Sequence, residues 1–290
     1  MDAQTAGRAA RSLDLLHSIG YFVPEVESRF VDIGLEPGRM TYFAGRSASM
    51  GAVGSGVVAS TFYNFNPEVI EAVIPRAWSL ADPKSVVEAR VAGVGEAYTR
   101  ILGEDVTSSP EMAEAAQLVA IAVDGIPGPE GRPLYAGHAD LEWPEAPHLV
   151  FWHGLTLLRE YRGDGHIAAL QTAGLSGREA LVTHTATGIG FATKFARTRR
   201  GWSQEQWDVT CGDLRDRELL DSNGALTQDG IELREVVEDL TDELALQPWS
   251  NLGAEGVGRL LELAQPWRDT VLAAGVFPDG IFGPRHGSSR

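Results

Sequence analysis

The chain has 290 residues, 43% apolar and 22% charged, which suits one large or two ordinary globular domains and excludes a disordered chain. Its net charge of −16 opposes a phosphate backbone, whose grip on proteins comes largely from Lys and Arg, unless a local basic patch overrides the mean. One cysteine, Cys211, excludes an internal disulfide and any multi-cysteine zinc site.

Helical periodicity dominates from the start. Residues 8–18 read as an amphipathic helix, and a second runs from about Pro24 to Val31 and stops at Gly34. The stretch TYFAGRSASMGAVGSGVVAS follows. Its small residues allow either close approach of a backbone or ligand, or a plain loop feeding a tightly packed helix. Asn66-Pro67 and Asp82-Pro83 are N-caps followed by proline at the first helical position, and the second opens PKSVVEARVAGVGEAYTRILG. Ser109-Pro110-Glu111 opens another helix, which ends in the turn cluster DGIPGPEGR.

In LVFWHGLTLLREYRGDGHIAAL, polar residues sit in apolar surroundings. Gly163-Asp164-Gly165 is expected to break the helix, with Asp164 capping the next one and His166 in its first turn. There the helix dipole favours neutral imidazole. A helix near GREALVTHTATG then precedes FATKFARTRR, and Ser203 with Gln206 forms a capping-box pattern at a third helix. Asn223-Gly224 signals a hairpin turn. The last long helix should present Ile231, Leu233, Val236, Val237, Leu240 and Leu244 on one face.

Three helices, a hairpin and a helix give the order of a winged helix-turn-helix. The segments GWSQEQW, LRDRELLD, GALTQDG and LREVVEDLTD resemble the MarR-like winged-helix family over roughly residues 178–262. The first half can be laid on the second at a shift of about 92–95 residues, with Ser109 on Ser203, Glu111 on Glu205 and Gly131 on Gly224. The expected fold is therefore mainly α, with two tandem, pseudo-symmetric winged-helix (MarR-like) lobes bearing short β-hairpin wings. The expected divisions are a degenerate lobe at 8–145, a second lobe at 146–280 and a disordered tail at 281–290. YFVPE, YFAGRSASMG, STFYNFNPEVI and LLREYRGDGHIAAL carry a whole-chain resemblance to an actinobacterial family, which implies no activity.

A winged helix normally reads DNA with its third helix. Here Trp207, Cys211, Leu214 and Glu218 are expected to share one face, packed inward at least through Leu214, and five acids accompany two arginines along the helix. The wing DSNGALTQD has no cation for phosphates. Lys194, Arg197, Arg199 and Arg200 are either a phosphate anchor or a solvated helix end. Nucleic acid is thus an unfavoured partner, though a MarR-like regulator remains one alternative.

The favoured reading is a small-molecule-binding protein, a sensor or sequestering protein, with a pocket between the lobes for a hydrophobic or aromatic metabolite. The candidate ligand contacts are Tyr21, Tyr42, Arg46, Phe62, Tyr63, Trp152, Arg162 and Asp164. An enzyme using His17, His153 or His166 with Glu25 or Glu160 for acid–base chemistry is the other alternative. No cofactor motif is present, and only a haem or histidine-held metal on His17, His153 or His166 stays open. With no secretory layout at the N-terminus and no run of 18 uncharged apolar residues, the chain reads as a cytoplasmic monomer or homodimer that does not span a membrane.

Overall fold

The computed structural model describes residues 1–285, and these form sixteen α-helices and no sheet. It divides into two compact units, each discontinuous in sequence. Unit 1 contains Met1–Gly54, Val73–Gly165 and Asp242–Phe277. Unit 2 contains Ser55–Ala72, His166–Thr241 and the segment from Pro278 onward.

Unit 1 is built from α1 (Ala3–Ser18), α2 (Pro24–Asp32), α3 (Arg39–Ser47), α6 (Ile74–Leu80), α7 (Pro83–Leu102), α8 (Glu104–Thr107), α9 (Pro110–Asp124), α10 (Pro133–Ala139), the first part of α11 (Pro147–Thr172) and α16 (Leu246–Ala273). Side-chain caps fix the starts. Asp2 accepts from Thr5 N–H, Asp82 from Ser85 N–H and Ser109 from Met112 N–H, each satisfying a donor that the first helical turn leaves open. The core joins Leu13 and Leu16 of α1, Val86 and Val94 of α7, Met112 and Val119 of α9, Phe151 and Leu155 of α11, and Leu260 and Trp267 of α16. From Phe151 to Leu158 every residue of α11 is buried. Such a helix is a central strut, with no solvent face to carry amphipathic periodicity.

The sequence GDG does not break that helix. α11 runs unbroken from Pro147 to Thr172. The mid-helix glycines are each unfavourable by about 1 kcal/mol relative to alanine, but packing needs Gly165, where a Cβ would lie 2.8 Å from Arg132 Nη1. Asp164 is a cap after all, for a different helix. Its Oδ2 accepts from Leu134 N–H at 3.0 Å and Tyr135 N–H at 2.9 Å, at the start of α10. Asp164→Ala leaves both buried donors bare and is expected to destabilise the protein by about 1–3 kcal/mol. Urea unfolding checks this, and a loss of a few tenths would show that α10 finds other partners.

Unit 2 contains α4 (Ser55–Phe62), α5 (Pro67–Glu71), the end of α11, α12 (Gly177–Ala186), α13 (Thr193–Arg199), α14 (Gln204–Asp216) and most of α15 (Gln228–Leu244). Its core centres on Leu170, Leu175, Leu181, Trp207, Leu214 and Val237. Capping boxes at Ser176/Glu179 and Ser203/Gln206 start α12 and α14. The turn between α13 and α14 is braced from the early segment. Trp202 Nε1 donates to Asn64 O, Asn66 Nδ2 donates to Gly201 O, and Asn66 N–H donates to Arg200 O.

The expected winged lobes with β-hairpin wings are not present. The described residues hold only two isolated bridges, Phe191 with Phe282 and Leu220 with Leu226. Around Asn223-Gly224, the Asp221 carboxylate takes the N–H groups of Asn223 and Ala225. Thr227 already caps α15 through Gly230 N–H. One residue pair is left between those caps, too few for a ladder. In the first half, Pro127, Pro129 and Pro133 remove the donors that a strand would need.

The face of α15 also differs from the periodic pattern. Ile231 and Val236 are exposed, and the buried line is Gly230, Arg234, Val237 and Thr241. In the expected tail, Ile281 is buried and Phe282 pairs with Phe191, while residues 286–290 lie outside the described ones.

Candidate functional site

Unit 1 holds an unusual concentration of buried polar side chains. His17, in the last turn of α1, is 1% exposed. Its ring stacks on Trp152 of α11 at 5.6 Å and meets Tyr21 edge-on at 5.5 Å. Trp152 Nε1 donates to the His17 carbonyl at 3.2 Å, which fixes both residues. Arg46, in the last turn of α3, donates to Tyr42 Oη at 3.2 Å and to both Glu160 oxygens at 3.4 Å. Arg159 donates to Glu160 at 2.7 Å and to Asp14 at 3.1 Å. Arg90, from the middle of α7, lies 5.0 Å from the Trp152 ring centre and 5.8 Å from that of Tyr21. His138 of α10 and His153 of α11 complete the set, both 4% exposed, with His153 edge-on to Trp143 at 5.0 Å.

Burial governs the charge states. It pushes His138 down to about 3 and His153 down to about 4, reinforced in both by Arg90. Burial, with Arg159, Arg90 and Arg46 nearby, also holds His17 well below the ordinary imidazole value. All three imidazoles are therefore neutral near pH 7, each with one donor and one acceptor nitrogen. For Glu160, burial alone would favour the neutral acid, but Arg159 and Arg46 outweigh it and bring the carboxyl down to about 2.

Buried polar groups normally find partners. Here many do not. Both ring nitrogens of His17, Tyr21 Oη, Ser49 Oγ, Arg90 Nη2, His138 Nε2 and His153 Nε2 are buried without a hydrogen bond in the chain. These atoms come from α1, α7, α10, α11 and the short 3₁₀ turns Ile19–Tyr21 and Ala48–Met50. α10 packs directly on the second of those turns, where a Cβ on Gly137 would lie 2.8 Å from Ser49 O.

The structure gathers His17, Tyr21, Tyr42, Arg46, Trp152, His153 and Glu160 in one cluster of this unit, and places the other sequence candidates outside that cluster. Glu25 forms an ion pair with Arg100 toward the surface. Arg162 donates to Asp242 at 2.7 Å, a buried carboxylate also held by Arg11. Asp164 caps α10 as described. In unit 2, His166 Nδ1 lies 2.8 Å from Thr241 Oγ1, Phe62 packs on Phe65, and Tyr63 Oη donates to Leu175 O at 2.6 Å. Among the described residues, no three His, Cys, Asp or Glu side chains could hold a metal ion together.

Arg90, His138, Ser49 and Arg159 were not among the site candidates. Besides Arg159, a charge inside an apolar run, two carried a signal. Arg90 falls on the apolar line Val86, Ala89, Gly93, Val94, Ala97 of α7, and His138 lies one turn after Leu134.

In unit 2, α13 and α14 follow one another across the short turn 200–203. α14 buries Trp207, Thr210 and Leu214. Cys211 is only half-buried, and Glu218 is exposed beyond the helix end, with a positive φ of 57°. The exposed side carries Glu205, Asp208, Asp213 and Asp216. Both arginines at its end are engaged, Arg215 with Asp221 O and Arg217 with Glu179. On α13, Lys194 and Arg199 are exposed, whereas Arg200 lies over Phe65 and Phe191.

No helix among the described residues is long and apolar enough to cross a membrane. No curated protein and no solved structure matches the chain. A model of a helix-turn-helix family matches residues 6–278, nearly the whole length. That match takes in both units, the buried polar cluster as well as the α13–α14 pair, and the chain belongs to this helix-turn-helix family.

Proposed function

We propose that the protein binds a small metabolite, as a sensor or a sequestering protein, with the ligand held by the buried polar cluster of unit 1. The observation that carries this reading is the set of buried polar atoms without hydrogen bonds on His17, Tyr21, Ser49, Arg90, His138 and His153. Each such group left bare is unfavourable by about 1–3 kcal/mol, so a fold that repeats it at one place is built for a polar occupant. Tyr21, Tyr42 and Trp152 supply the apolar walls that a small-molecule site normally has. Acid–base catalysis receives less support. Glu160 is held ionised by two arginines and is a poor proton acceptor, while Glu25 is committed to Arg100.

Native mass spectrometry of freshly purified protein tests this reading. The expected result is excess mass that is lost on denaturation. A bare protein whose melting temperature is also unmoved by a metabolite extract overturns it.

Family membership favours a second reading, a helix-turn-helix DNA-binding regulator. The acidic face of α14 opposes it, because phosphate contact relies on Lys and Arg and both arginines there are occupied within the fold. A gel shift on the protein's own upstream region at low salt decides. We expect no shift at micromolar protein. A shift abolished by charge reversal at Lys194 and Arg199 would reinstate the regulator.

A further inference from the structure

The charges around the cluster do not balance. Three guanidinium groups, Arg46, Arg90 and Arg159, face it from α3, α7 and α11, and arginine does not lose its proton in proteins. Two carboxylates oppose them. Glu160 is 3% exposed and shared by Arg46 and Arg159, while Asp14 is 47% exposed and reached only by Arg159. Three positive charges against two negative leave one positive charge over, and the three imidazoles are neutral. The surplus falls on Arg90. It forms no ion pair among the described residues, its Nη2 makes no hydrogen bond, and its neighbours are the rings of Trp152 and Tyr21.

A buried cation without an anion is unfavourable, and cation–π contact compensates it only in part. The hydrogen-bonding groups without partners belong to residues within electrostatic reach of this same cation: Tyr21 Oη, the His17 nitrogens, His138 Nε2 and His153 Nε2. Arg90 and His153 both act electrostatically on His138, which puts the three within one neighbourhood.

We infer that unit 1 takes an organic monocarboxylate with a planar apolar body, its carboxylate paired with Arg90 and its body against Trp152 and Tyr21. This rests on the ligand-binding reading above and adds the charge and shape of the ligand. A guanidinium fork matches a carboxylate with two parallel hydrogen bonds. One negative charge restores neutrality. A phosphate monoester brings between one and two and exceeds the surplus. The aromatic walls favour a flat partner that can stack or meet a ring edge.

The test is calorimetric titration of the full chain with naphthalene-2-carboxylate, with its uncharged counterpart naphthalene-2-carboxamide, and with inorganic phosphate. The carboxylate is expected to bind at least about thirtyfold more tightly than the amide or phosphate, the range for breaking a buried charge pair. Arg90→Met should remove that preference while its melting temperature stays at or above the wild-type value. Arg90→Lys, which keeps the charge and loses the fork, should retain the preference in weaker form, and it serves if the methionine variant does not fold.

Equal binding of carboxylate and amide, or of carboxylate and phosphate, overturns the inference. So does a preference that survives in Arg90→Met. A neutral metabolite in the native mass spectrum overturns the charge assignment and leaves the ligand-binding reading standing. If neither naphthalene probe binds, the monocarboxylate is overturned, and a bare mass spectrum with no extract-induced stabilisation removes the broader reading as well.

Discussion

Replacing Glu160 by glutamine is expected to destabilise the protein by about 3–5 kcal/mol, the range for removing one partner of a buried ion pair. The substitution keeps the side-chain volume, so no cavity contributes. It removes the carboxylate shared by Arg46 and Arg159, and leaves a 12%-exposed guanidinium on α3 with no negative charge beside it. Arg90 also loses the attraction that Glu160 exerts on it. The other pair of Arg159 does not compensate, because Asp14 is half exposed and a pair in solvent contributes little.

Urea unfolding of the wild type, Glu160→Gln, Arg46→Met and the double variant gives the coupling. The double variant should recover part of the loss, since it deletes a cation together with the anion. A single-variant loss below about 1 kcal/mol would show that solvent reaches Glu160, and would remove the premise that this cluster is dry.

The same carboxylate has a pH signature. Its value is depressed in the fold from the ordinary 4.5 to about 2. Its contribution is therefore complete above about 4.5 and is lost as pH falls toward 2. Glu160→Gln should have the flatter stability profile across that window.

What the sequence shows of this site follows from which signals are local. His17 and Tyr21 are four residues apart, so their edge-on contact is legible from spacing alone. Glu160 and Arg159 stand out as charges inside an apolar run, which only a central helix such as α11 accommodates. Arg46 reaching Glu160 joins positions 114 residues apart, and no local pattern specifies that. Arg90 was hidden for a different reason. In a helix rich in Ala, Val and Gly one arginine reads as surface charge, unless its position on the apolar line is counted.

No wing forms because the turn chemistry here serves caps and not a hairpin. Asn223-Gly224 does make a turn, but Asp221 and Thr227 spend the neighbouring donors on caps instead of a ladder. The GDG segment failed because helix propensity is weak beside packing. Glycine there admits Arg132 against α11, and Asp164 serves a helix some thirty residues earlier in sequence.

Mild acid is the second large expected effect. His17, His138 and His153 are held neutral by burial and by Arg90, so their folded values lie below the unfolded value of about 6.5. In the unfolded chain they take up protons as pH drops below about 6.5, and in the fold they do not. Stability is therefore complete above about 6.5 and falls as pH drops toward the folded values, by about 1.4 kcal/mol per histidine per pH unit.

Between pH 7.5 and 5 the three histidines together remove about 6 kcal/mol. Asp164 works the other way. Burial raises it to about 6, so its fold-favoured proton adds stability as pH falls below 6 and returns about 1.4 kcal/mol by pH 5. The net loss from these four groups is about 5 kcal/mol, a large part of the stability of an ordinary domain, and His184 in unit 2, which burial brings down to about 4, adds to it.

Unfolding by urea at pH 7.5, 6.5, 5.8 and 5.0 measures the slope, and His153→Gln should reduce it by about a third. A profile flat from 7.5 to 5 would mean that the imidazoles share protons with solvent. The cluster would then be open and wet, and its bare nitrogens would no longer argue for an occupant. A steep profile would establish that these groups stay dry and neutral at pH 7. That is the state in which three imidazoles can offer both donors and acceptors to a ligand beside Arg90.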